Sequence, residues 1–219
     1  GAVVAMKLIW ALYDDSHIPE TEKEEFLELA AIATVGDVMD LQGENRILVK
    51  EGLKRLPYTK NKGLQALIRV TGLEGSRISS YHIGFVLGPC INASGRLDTA
   101  ARSLRLLQCE DAGEAARLAG DLKALNDSRK ALTEKGKDAA IQLIENTDLK
   151  KDLVLVVYLP ECHESLAGII AGRIREKYNR PVFVLTKGEK GVKGSGRSIQ
   201  QYSMFEELVK CGDLLDQYG

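Results

Sequence analysis

No proline occurs between Pro89 and Pro160, and within that stretch Ala115, Leu118, Leu122, Leu125, Leu132, Ala139 and Leu143 recur at steps of three and four or their multiples. This spacing predicts one long helix from Glu110 to Asn146. At 1.5 Å per residue it would extend on the order of 50 Å, more than a compact small domain needs, so its expected role is to connect two bodies. Arg129 and Gly136 interrupt the apolar stripe, which argues against a self-sufficient coiled coil.

The chain has 219 residues, enough for one large domain or two small ones, each able to bury a core without disulfides. Its 44% apolar and 28% charged content excludes wholesale disorder, and no apolar run is long enough to cross a bilayer. The net charge is −1, so attraction for a polyanion has to come from a local patch. Charge is in fact segregated: Asp14 to Glu28 carries seven acids against Lys23, while Arg173 to Arg197 carries eight bases against Glu176 and Glu189. Cys90, Cys109, Cys162 and Cys211 form no CxxC pair and no disulfide framework, which points to a reducing, cytoplasmic home. With Gly1 in place of an initiator Met, the expectation is a piece of a longer protein.

The remaining segments predict a mixed α/β fold. Val3 to Tyr13 reads as a helix, a second opens at Pro19 and Thr21, and the two should pack as a hairpin. Ala33 to Gln42 reads as a turn region, Asn45 to Leu56 as an amphipathic helix stopped by Pro57, and Gly63 to Val70 as a short helix. After Lys151 comes a buried strand, Leu153 to Tyr158, then a helix from Ser165 to Tyr178 and a strand from Pro181 to Leu185, together a βαβ unit. Gly188, Gly191, Gly194 and Gly196 then fall in a Lys-rich loop or hairpin, and Met204 to Tyr218 reads as a closing helix.

Several residues are candidates for chemistry. Gly191 to Ser198 nearly matches the phosphate loop GxxxxGK[ST], but Arg197 stands where that loop needs Lys. What remains is a Gly-rich turn with a guanidinium, suited to one phosphate or to being a solvated hairpin tip. Ser94-Gly95-Arg96 echoes Ser195-Gly196-Arg197, and two such loops could grip one strand; equally, Arg96 could serve the following helix through Asp98. Asp37 lies among small and apolar residues, where a carboxylate needs a cation or backbone donors. His163, between Cys162 and Glu164 at the end of the predicted strand, is either a site group or an exposed loop histidine, and zinc is a poor fit there. His17 and His82 are expected to be surface or packing residues.

Taken together, Leu29 to Val38, Gly43 to Arg46, Ile91 to Leu97 and Lys193 to Ser198 resemble the RecJ-like exonucleases of the DHH phosphoesterase superfamily. The resemblance implies the C-terminal part of a DHH catalytic domain over 1–109, a connector helix over 110–147, and a DHH-associated substrate-binding domain over 148–219, cut before a Gly-Gly-His motif. It implies 5′ to 3′ hydrolysis of single-stranded DNA in repair and recombination, with two divalent ions, Mn2+ or Mg2+, and single-strand-binding or helicase proteins as partners. Asp37 would be the last aspartate of the metal site. Asn92 would position the interface loop, Arg96 would contact the backbone, and Lys193, Ser195, Gly196 and Arg197 would bind phosphate, with His163 and Ser94 as further candidates.

The superfamily's Asp-rich and Asp-His-His motifs do not occur in the 219 residues, so this stretch alone is expected to be inactive as a nuclease. Gly36, Asp40 and Cys90 replace the residues usual in the family. Two alternatives stand beside the nuclease: a non-catalytic single-strand-binding scaffold of the same fold, and a small-substrate oligoribonuclease or phosphatase.

Overall fold

The computed structural model describes residues 1–19, 23–97, 99–188 and 191–219, and within α-helical 88–97 the side chain of Arg96 is outside that description. The chain forms two compact units, Gly1–Asn126 and Asp127–Gly219. Each has its own apolar cluster.

The first unit is helical: α1 Ala2–Asp15, α2 Phe26–Gly36, α3 Gly43–Arg55, α4 Lys62–Val70, α5 Gly88–Leu97 and α6 Ala101–Leu107. Met6 of α1 meets Leu27 and Ala30 of α2 and Leu48 of α3, which is the expected packing of the first two helices. The predicted turn at Ala33 is instead the last turn of α2, held by the Thr34 hydroxyl donating to the Ala30 carbonyl at 2.7 Å. In α3 the buried residues are Leu48, Val49 and Gly52, leading on to Leu56, while Ile47 faces solvent. Pro57 ends the helix as expected and sits in a 3₁₀ turn. Asn61 caps α4, accepting from the Leu64 amide at 2.9 Å.

His82 has a definite local job: its Nδ1 accepts from the Ser79 amide at 3.0 Å and so closes a capping box. A π turn over Ile83–Leu87 follows, next to Pro89, which has no N–H to give the carbonyl four residues back. The segment Pro89 to Leu97, expected as a loop, is therefore helix α5.

Helix α7 runs from Ala112 to Glu145. Ala115, Leu118, Ala119 and Leu122 enter the first unit's cluster; Ala140 and Ile144 enter that of the second. Beyond Leu125 the buried seam is not the one the apolar residues trace. Asn126, Thr133 and Ala140 are buried, while Leu132 and Ala139, one position earlier, are exposed. Gly136, which looked like an interruption, belongs to the seam: a Cβ there would lie 2.5 Å from Ile170 Cδ1. Close approach at Gly136, together with the burial of Ala140 and Ile144, sets the register in this half.

In the second unit, β1 Leu155–Tyr158 pairs parallel with β2 Val182–Gly188, and α8 Glu164–Tyr178 connects them. The βαβ unit is present, but β1 starts at Leu155, with Leu153 exposed, and only one face is buried: Leu155 and Val157 pack inward while Val156 and Tyr158 do not. β2 continues antiparallel into β3 Gly191–Arg197 in the order β1-β2-β3. The closing helix α9 is Met204–Lys210, shorter than predicted, and yields to a 3₁₀ turn at Gly212–Leu214.

One half-buried carboxyl supplies a pH signature for the first unit. Burial pushes the Glu28 carboxyl above its usual range, more than the hydrogen bond from the Thr59 hydroxyl and the charge of Arg55 pull it down. A raised folded-state value means the native state holds this proton more tightly, so its contribution is full below the unfolded-state value and is lost as pH rises through the folded one. Glu28→Gln should therefore gain stability relative to the parent chain as pH rises from 4 to 7, read by urea unfolding of Trp10 fluorescence. A stability difference, variant minus parent, that falls with rising pH would contradict the assignment.

Candidate nucleic-acid interface

The period-two geometry of β3 sorts its residues between two faces. Register pairs Arg197 with Val182, Ser195 with Val184 and Lys193 with Thr186, and these partners are buried on the α8 side of the sheet. Lys193, Ser195 and Arg197 therefore form one row along α8. Lys193 Nζ reaches Glu164 Oε2 at 2.9 Å near the start of α8. One turn further, a Cβ on Gly168 would lie 2.8 Å from Arg197 Nη2 and 3.4 Å from Ser195 Oγ. A bare stretch of helix backbone thus forms the floor under a guanidinium and a hydroxyl. Arg197 is exposed, and its Nη1 donates to the Gly196 carbonyl at 2.7 Å, which orients the fork.

Gly196 serves the opposite face, where Phe183 and Met204 occupy the space a side chain would need. Its glycine is thus explained by packing. Gly191 to Arg197 is a strand, not a turn entering a helix, which removes the remaining likeness to the nucleotide-phosphate loop. Of the lysines nearby, Lys187 pairs with Val192 and lies on the face away from Lys193, while Lys190 lies outside the described residues.

His163 is the N-cap of α8: its Nδ1 accepts from the Ser165 amide at 3.3 Å and lies 2.7 Å from Ser165 Oγ. It stands at the rim of an apolar pocket of about 460 Å³ formed with Leu132, Ala139 and Leu166. Cys162 lines the same pocket, and burial pushes its thiol up, away from thiolate chemistry.

The candidates in the first unit separate differently. Asp37 is the exposed C-cap residue of α2, its amide bonded to the Ala33 carbonyl at 2.9 Å. The carboxylate is not buried among apolar residues, so desolvation does not oblige it to find a cation. Ser94 is fully buried in α5, and its hydroxyl is 2.7 Å from that of Ser103, so its polar group is engaged within the unit rather than presented at the surface. Asn92 is exposed one helical turn before position 96, where the side chain of Arg96 is outside the described residues, as is Asp98. The two Ser-Gly-Arg echoes are thus a helix end and a strand, not paired loops.

For a divalent cation the fit is poor. Asp37 offers one carboxylate, and among the described residues no group of three His, Cys, Asp or Glu side chains is placed to hold a metal ion.

Sequence reasoning missed Gly168 and Glu164. A glycine inside an otherwise apolar helix, in register with Gly172, was the available signal.

These observations define a mixed α/β protein whose second unit presents a serine–arginine notch suited to an anionic oxygen group. Comparison gives the class a name: the chain is 37% identical over 228 residues to the single-stranded-DNA-specific exonuclease RecJ of Escherichia coli strain K12, covering 98% of this chain and 40% of that protein. It is 39% identical to the Thermus thermophilus RecJ over 219 residues, covering all of this chain and 31% of the relative. The fold agrees. The crystal structure of Thermus thermophilus RecJ in complex with Mg2+ superposes with a TM-score of 0.86 at 38% identity, covering 99% of this chain and 33% of that one. A structure of exonuclease RecJ bound to manganese gives 0.84 at 39% identity, with 99% and 53% covered. No family model matches the chain. The similarity runs along the whole chain, which spans between 27% and 41% of the length of five of these curated relatives.

Proposed function

We propose that this chain is the strand-gripping part of a RecJ-type nuclease, an enzyme that hydrolyses phosphodiester bonds of single-stranded DNA from the 5′ end in repair and recombination. The observation that carries the reading is similarity along the whole chain to single-stranded-DNA-specific exonucleases. In this reading 1–109 belongs to a DHH catalytic domain, 110–147 is the connector and 148–219 is the substrate-binding domain. Arg197 and Ser195 hold one phosphate by charge-assisted hydrogen bonds, and Lys193, screened by Glu164, adds a weaker attraction. Asn92 and Arg96 are assigned to the same substrate from the first unit, and Asp37 to a two-ion Mn2+ or Mg2+ centre whose other ligands lie among residues other than these. A cytoplasmic setting, with single-strand-binding or helicase partners, accompanies the reading. Among the described residues no helix is long and apolar enough to cross a membrane.

The test is binding. At low salt the chain should bind a labelled oligothymidylate more tightly than a duplex of equal length, and Arg197→Glu should weaken binding by roughly ten-fold or more while lowering the salt slope by about one. Equal affinity for parent and variant, or for single strand and duplex, would count against the reading.

A further inference from the structure

Helix α3 carries Arg46, Lys50 and Lys54 at every fourth position, hence along one face about 6 Å apart. This row lines a groove of about 760 Å³ in the first unit, whose opposite wall is the turn bearing Arg77 with Ser76, Ser79 and Ser80. Glu51 neutralises Lys54 at 2.7 Å. Lys50 also feels the charge of Glu51, but for Arg46 and Arg77, both exposed, no acidic partner occurs among the described residues, and no Asp or Glu among them lines the groove. Lys54 serves the helix, since it lies in the last turn and pairs with Glu51, but Arg46 lies near the N-terminal end, where the helix dipole disfavours a cation. Arg46 and the facing Arg77 are therefore better explained by an external anion than by folding.

The aromatic side chains around the groove narrow the choice of anion. Tyr58, in its lining, is 85% exposed, and Tyr81, next in the chain after the groove residue Ser80, is 62% exposed. Tyr81 stacks on Phe85, itself 64% exposed, with ring centroids 4.8 Å apart and planes at 28°. The pair stands where the chain passes from the capping box into the π turn, so its backbone is held in place. A basic groove with an exposed ring in its lining, Tyr58, and an exposed ring pair that begins at the residue after Ser80, is a combination by which proteins hold single-stranded nucleic acid: charge follows the backbone and rings stack on bases.

We propose that the α3 groove and the Tyr81–Phe85 pair form a second single-strand track, in the first unit and separate from the Ser195–Arg197 notch. The proposal rests on the single-strand reading above and adds a surface to it. Its ligand is a phosphodiester strand with bases, not a free phosphate.

The test uses the 219-residue chain, labelled oligothymidylate, an abasic oligomer of the same length, and tripolyphosphate as competitor. Arg46→Gln/Arg77→Gln should weaken oligothymidylate binding by about ten-fold and lower the salt slope by about two. Tyr81→Ala/Phe85→Ala should cost about five-fold or more on oligothymidylate and nothing on the abasic oligomer. Thermal melting matched to the parent chain would show that each variant is folded. Ultraviolet cross-links from 4-thiothymidine should map to Tyr81 or Phe85 in the parent and persist in Arg197→Glu.

If both groove variants bind like the parent while Arg197→Glu alone is weak, the groove proposal fails and the functional reading stands. If no variant changes binding and single strand is not preferred, both fail. If tripolyphosphate displaces the strand as strongly per phosphate as the oligomer itself, and the ring variant is silent, the groove is a small-anion site and the proposal is overturned. Cross-links confined to the second unit would overturn it as well.

Discussion

Gly63→Ala should unfold the first unit at a markedly lower temperature than the parent chain. A Cβ at this position of α4 would sit 2.0 Å from the Leu106 carbonyl oxygen and 2.7 Å from its carbon, both backbone atoms of α6. Backbone cannot rotate away, so α4 and α6 would have to separate. That separation would open the contact between Leu64, Leu67 and Leu106, all fully buried. It would also strain the bond from Asn61 Nδ2 to the Leu107 carbonyl, 2.7 Å in the native chain. Alanine gains about 1 kcal/mol over glycine in a helix interior, whereas overpacking against an immovable neighbour costs about 3 kcal/mol or more. The penalty wins. Trp10, the single tryptophan, lies in the first unit and reports on it alone, its indole donating to the Lys23 carbonyl at 2.9 Å. A midpoint lowered by roughly 5 °C or more is the expected reading, and an unchanged midpoint would mean the two helices do not approach as closely as described.

That contact illustrates what was legible in the sequence and what was not. Elements with strong apolar patterning were predicted close to where they lie: α1, α3, α4, α7 and the βαβ unit all fall within a few residues of their expected bounds. The errors share a physical origin. Where packing is set by small or polar residues, counting apolar ones gives the wrong face. The seam of α7 passes through Asn126, Thr133 and Gly136 and so is displaced by one position from the leucines. Gly95 and Pro89 made α5 look like a loop, yet Pro89 is tolerated beside a π turn and Ser94 is buried against Ser103.

The site was legible as a set of residue types and not as an arrangement. Ser195 and Arg197 are two residues apart, so assigning them to a strand at once places them on one face. Reading the glycines as a loop concealed this. The basic row Arg46, Lys50 and Lys54 has a four-residue period that needs no structure to see, but its meaning depends on the facing turn at Arg77. Asp37 drew attention through its apolar neighbours in sequence, and three-dimensional structure puts it in solvent.

Gly168→Ala should weaken strand binding without removing any charge and without destabilising the fold, and this combination separates positioning from electrostatics. The added methyl would lie 2.8 Å from Arg197 Nη2, the mobile end of a long side chain, and 3.4 Å from Ser195 Oγ. The guanidinium can swing aside at little cost in stability, and α8 gains up to about 1 kcal/mol from losing a glycine in its interior. Binding should respond in the opposite direction. A fork displaced from the serine no longer offers two donors to one phosphate, and losing part of a charge-assisted pair costs about 1.5 kcal/mol, near ten-fold in affinity. The salt slope should stay close to that of the parent, because the charge remains nearby, whereas Arg197→Glu should lower it. Calorimetric melting and oligothymidylate titrations at several salt concentrations read the two effects separately. Should Gly168→Ala bind as well as the parent, the floor under Arg197 is a packing feature of α8 and the notch does not depend on the arginine's seat. Should it bind weakly and also melt early, the methyl has disturbed the sheet, and the loss cannot be credited to the position of the guanidinium.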